Sequence, residues 1–119
     1  GTDSPGAAKF SDMATAAGFK SGPFAMESYD AAALMLLAME AAKSSDSQVY
    51  KSKIMDIANA PGEKIYPGEL DKALHLIEDG KDIDYVGASA VELVGGGESA
   101  GNYAQIEVQN QKNVTVAYR

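Results

Sequence analysis

The sequence predicts a mixed α/β chain with its helices first and its strands last. Three observations carry this. The run Ala31 to Met39 holds no polar side chain, the mark of a helix buried on all sides. Leu70, Ala73, Leu74 and Ile77 recur at helical spacing, behind Pro67 and ahead of Gly80. From Tyr103 onward apolar residues alternate instead: Ala104, Ile106 and Val108, then Val114, Val116 and Tyr118, with the turn-rich Asn110-Gln-Lys-Asn113 between them.

In chain order, residues 1–6 are turn formers and are expected to form a loop. A helix over about 7–18 follows, with Phe10, Met13, Ala14 and Ala17 on one face and Gly18 near its end. The Gly22-Pro23 turn delivers Phe24. Residues 24–28 are expected to run extended, which by alternation places Phe24, Met26 and Ser28 on one side. Ser28 or Asp30 then caps a helix over about 29–44. Its apolar stretch is shorter than the about 20 residues a bilayer requires, so it belongs in a core and needs cover all round.

Ser45-Asp-Ser-Gln48 reads as a capping box for a helix over about 47–59, stopped by Asn59-Ala-Pro-Gly62. Ile65 and Tyr66 form an extended link to a helix over about 67–79, with Pro67 at its first position and Gly80 as its terminal glycine. Asp84 to Gly87 and Ala90 to Val94 read as short extended runs, and Gly95 to Gly101 as a loop. Strands over about 103–109 and 113–118 close the chain as an antiparallel hairpin. A length of 119 residues fits one domain.

Charge and composition exclude several functions. Net charge is −7 and no Lys/Arg cluster exists to displace condensed counterions, which argues against a nucleic-acid partner and an anionic membrane surface. Without cysteine there is no disulfide, thiolate nucleophile or thiolate metal site. His75, the only histidine, lacks the companions a metal site needs. Ser44-Ser-Asp46 and Glu98-Ser99 lack a histidine base, so no nucleophilic triad is expected. Glu78, Asp79, Asp82 and Asp84 lack the spacing of a calcium loop. Gly95 to Gly101 leads into a strand and carries no Gly-Lys-Ser/Thr, which excludes a phosphate loop. Asn113-Val-Thr115 matches a glycosylation sequon inside a strand end. No catalytic constellation and no cofactor are expected.

Two motifs resemble a known family. Gly22-Pro-Phe-Ala-Met-Glu-Ser-Tyr-Asp-Ala-Ala32 resembles the turn-to-helix segment of the leucine/isoleucine/valine-binding family of periplasmic solute-binding proteins. Pro67-Gly-Glu-Leu-Asp-Lys-Ala-Leu-His-Leu-Ile-Glu-Asp-Gly-Lys-Asp-Ile-Asp-Tyr-Val-Gly-Ala-Ser89 is similar to a later segment of that family, and Gly101 to Val116 to its closing strand pair. The resemblance implies the C-terminal portion of a two-lobed periplasmic-binding fold: residues 1–86 as the helical part of the first lobe, 87–119 as the final crossover and closing strands. The sequence opens at Gly1 rather than Met, and an upstream portion is expected.

The implied function is capture of a small amino-acid-like ligand, such as a branched-chain amino acid, for an ABC-type permease in the periplasm or outside the cell. The family's aromatic pocket position falls on Phe24. Phe24 and its neighbour Met26 are the expected ligand-binding residues, with Tyr29 structural. The family's groups for the ligand's carboxylate and ammonium lie earlier in the full chain, and none maps here. A ligand-sensing domain of the same fold and a stand-alone, self-associating interaction domain are the alternatives.

Overall fold

The computed structural model describes residues 3–101 and 103–119, and the chain is mixed α/β. Helix α1 spans Pro5–Ala16 and is capped by Ser4, whose Oγ accepts from the Ala7 N–H at 3.2 Å. The helix therefore takes in Pro5 and Gly6, expected as loop, because proline is well placed just inside a capped N-terminus. Gly18 ends it as anticipated: the Phe19 N–H donates back to Ala14 O and the Gly18 N–H to Thr15 O.

Helix α2 spans Ala25–Ala42, starting four residues before the expected position. Ala25 to Ser28 are helical, not extended, so Phe24, Met26 and Ser28 do not share a side by alternation. Neither Ser28 nor Asp30 is the cap. Phe24 occupies that position with φ 61° and ψ 10° and makes no side-chain capping bond. Asp30, Ala33, Leu34, Leu37 and Ala38 form the buried face, a stripe at helical spacing. The apolar run is not covered all round, since Leu36 is 58% exposed and Met35 is exposed beside it.

The expected helix over 47–59 is broken into α3 (Ser47–Tyr50), a 3-10 turn (Lys51–Lys53) and α4 (Ile54–Ala58). Its cap is Asp46, whose Oδ1 accepts from the Gln48 N–H at 2.8 Å, one residue after Ser45, the cap position read from the sequence. Strand β1 (Glu63–Ile65), helix α5 (Leu70–Glu78) and strand β2 (Ile83–Tyr85) form a β-α-β unit with β1 and β2 parallel, Ile65 opposite Tyr85. Pro67 and Gly68 form a turn ahead of α5 instead of opening it. Gly68 is left-handed at φ 84°, and the Glu69 carboxylate accepts from the Tyr66 N–H at 2.8 Å. Gly80 closes α5 as read from the sequence, with the Lys81 N–H donating to Leu76 O.

The last third is two hairpins. Strand β3 (Glu92–Val94) pairs antiparallel with β4 (Glu98–Ala100), so the segment read as a loop carries a strand. Strand β5 (Ala104–Gln109) pairs with β6 (Lys112–Tyr118), with an irregularity after Gln105. Asn110 and Gln111 both have positive φ, 51° and 62°, the geometry of a two-residue turn that matches strand twist, and it starts β6 one residue early. Leu34, Leu37, Ile57, Ile65, Ile83 and Tyr85 form the main core between α2, α4, α5 and the parallel pair. A smaller cluster of Phe10, Ala14 and Ala88 lies under α1. No helix among the described residues is long and apolar enough to cross a membrane.

Candidate functional site

The site grows from the junction between α1 and α2. Gly22 and Pro23 turn the chain, and Phe24 follows in the left-handed region. That conformation crowds Cβ against the carbonyl and costs about 1–2 kcal/mol in a residue with a side chain. The ring does not recover this by burial, since it is 77% exposed. It lines a cleft of about 700 Å³ together with Phe10, Met13, Ala17, Phe19 and Tyr29. Among the described residues Lys20 is the only charged side chain lining that cleft, whose character is overwhelmingly apolar.

Behind the cleft a buried carboxylate fixes α2 to the chain after β2. Asp30 is 2% exposed. Its Oδ1 accepts from the Tyr85 hydroxyl at 3.0 Å and the Ala88 N–H at 2.8 Å. Its Oδ2 accepts from the Ser89 N–H at 2.7 Å and the Ser89 hydroxyl at 2.5 Å. Four donors replace the water that a buried carboxylate loses. Burial, then the nearby Asp30 charge, holds the Tyr85 phenol above its ordinary pKa, so it stays protonated as a donor.

The backbone is shaped around this carboxylate. A Cβ on Gly87, whose φ is 63°, would lie 2.3 Å from Asp30 Oδ1. From the other side Gly6 lets α1 approach: its Cβ would fall 1.8 Å from Gly87 O. The Ser4 hydroxyl adds a bond to Ala88 O at 3.3 Å.

Of the residues expected to bind ligand, Phe24 lines the cleft, whereas Met26 is partly buried against the Phe10, Ala14 and Ala88 cluster beneath it. Tyr29 packs on Phe10 with ring centroids 5.4 Å apart, and its hydroxyl accepts from the Gly68 N–H at 3.3 Å. Lys9 reaches over the Tyr66 ring and pairs with Glu69 at 3.5 Å, joining α1 to the turn before α5. Sequence reasoning missed Asp30, although its place on the buried stripe with Ala33, Leu34 and Leu37 was a readable signal. His75 lies on the exposed surface of α5, its Nδ1 donating to Asp71 O at 2.7 Å. Among the described residues no group of three or more acidic or histidine side chains is arranged to hold a metal ion.

Comparison with protein-family models, with curated proteins and with solved structures found no match.

Proposed function

We propose that this chain forms one wall of an extracytoplasmic solute-binding protein, the C-terminal portion of a two-lobed periplasmic-binding fold, which captures a small amino-acid-like ligand for an ABC-type permease. The observation that carries the reading is Phe24. A bulky residue at positive φ is strained, and strained residues of this kind cluster at functional sites. Here it presents an aromatic face at the rim of an apolar cleft instead of burying it. Met26 acts from beneath, holding the first turn of α2 on the smaller core cluster.

Two further features support a wall that faces another. A two-stranded parallel pair is ordinarily part of a larger sheet. The closing hairpin leaves Ile106 and Val108 exposed, surface that suits a second lobe or, in the chain by itself, self-association. In the intact binding protein Phe24→Ala is expected to weaken ligand binding about tenfold or more, the effect of losing about 1.4 kcal/mol of contact, without loss of stability. Unchanged affinity would remove the reading.

A further inference from the structure

We propose that Glu27, with the rings of Phe24 and Tyr103, forms a subsite for an organic ammonium group. A groove of about 460 Å³ runs from Pro23 along Ile106 and Tyr118 of the closing hairpin. A smaller recess of about 200 Å³ opens beside it toward Ser89 and Ser99. Phe24, Glu27 and Tyr103 line both spaces and stand where they meet. Among the described residues Glu27 is the only charged side chain lining either. It makes no ion pair among the described residues.

The backbone that carries each ring is held in position. Phe24 is set by its left-handed backbone at the start of α2. Tyr103 exchanges two backbone hydrogen bonds with Arg119, at 2.7 and 2.9 Å, at the base of the hairpin. Both rings are exposed, Tyr103 at 74%. Aromatic faces attract cations, and a carboxylate beside them supplies the opposite charge. The net charge of −7 draws the same kind of ligand from solution. The apolar groove along Ile106 takes the attached hydrocarbon. The ligand class is thus a primary or methylated amine on a branched aliphatic or aromatic body. The proposal rests on Phe24 being ligand-facing, and it assigns the ligand's ammonium end, for which the sequence offered no partner.

The test titrates the 119-residue chain with 3-methylbutylammonium, its neutral counterpart 3-methylbutan-1-ol and the anion 4-methylpentanoate, following ring signals by NMR. The amine is expected to shift the Phe24 and Tyr103 signals with saturation, at about fivefold higher affinity than the alcohol. Glu27→Gln is expected to abolish that preference. Phe24→Leu, checked for folding by circular dichroism, should weaken the amine more than the alcohol. Equal binding of amine and alcohol, preference for the anion, or an unchanged preference in Glu27→Gln overturns the subsite. Failure of the solute-binding reading is distinct: amine binding would follow Glu27 while ligand capture by the intact protein ignored Phe24→Ala.

Discussion

Replacing Phe24 by glycine separates a ligand-facing residue from a core one. Three quantities decide the outcome. Glycine relieves the left-handed strain at φ 61°, a gain of about 1–2 kcal/mol. It also loosens the unfolded chain, a loss of about 0.5–1 kcal/mol. With the residue 77% exposed, only about a quarter of a roughly 200 Å² aromatic surface is buried, worth about 1 kcal/mol. The sum places Phe24→Gly within about 1 kcal/mol of the parent chain. Phe10→Ala is the internal standard, because Phe10 is 7% exposed in the smaller core cluster and its loss costs about 3–5 kcal/mol. Urea unfolding followed by far-UV circular dichroism measures both, with equal slopes showing that the unfolded ensembles are alike. A loss of about 3 kcal/mol for Phe24→Gly would place the ring in the core and not at the rim of the cleft.

Three further outcomes follow from the buried carboxylate, the glycine beside it and the lone histidine. Asp30→Ala removes the acceptor of the Tyr85 hydroxyl and the Ala88 N–H, and at about 1–3 kcal/mol for each of these two donors left unpaired the expected loss is about 2–6 kcal/mol. The same urea experiment reads it, and a loss below about 1 kcal/mol would mean that water replaces these bonds. Gly87→Ala is expected to cost more than about 3 kcal/mol, since its Cβ meets Asp30 and the Tyr85 ring at 2.3 and 2.6 Å. Gly80→Ala, left-handed at φ 71° with nothing within 4 Å, should cost only about 1 kcal/mol; equal losses would contradict the close approach. The hydrogen bond to Asp71 O, then the charge of Glu78, raises the His75 pKa above its ordinary 6.5. Protonated His75 therefore adds stability that is complete below pH 6.5 and is lost as pH rises through the raised value. NMR should give a midpoint above 6.5, and His75→Gln should flatten stability over that window; a midpoint at or below 6.5 would contradict it.

The sequence shows what is local and hides what is not. Gly18 and Gly80 mark helix ends because the left-handed residue there is set by the adjacent helix. The alternation of Ala104, Ile106 and Val108 marks a strand whatever surrounds it. Asp30 was ambiguous for a physical reason: a carboxylate can satisfy the free N–H groups of its own helix or those of a distant loop, and here residues 88 and 89, almost sixty positions away, take it. With that acceptor taken, nothing at Ser28 or Asp30 stops α2 from reaching back to Ala25. The parallel pairing of β1 with β2 was hidden because three-residue strands carry no periodicity, only the α5 crossover between them. At the site, Phe24 was legible as an aromatic after a turn. Its left-handed backbone and its junction with Glu27 and Tyr103 were not, since the second depends on where the closing hairpin returns.

Titration calorimetry of the 119-residue chain with leucine, valine and phenylalanine asks whether these residues form a complete amino-acid site. On the proposed reading, one wall with Phe24 at its rim offers the ammonium a subsite but leaves the ligand's carboxylate desolvated without a partner. No saturable heat is expected at micromolar to sub-millimolar ligand. Micromolar binding of any of the three would show that the site is complete within these residues and that no second wall is needed.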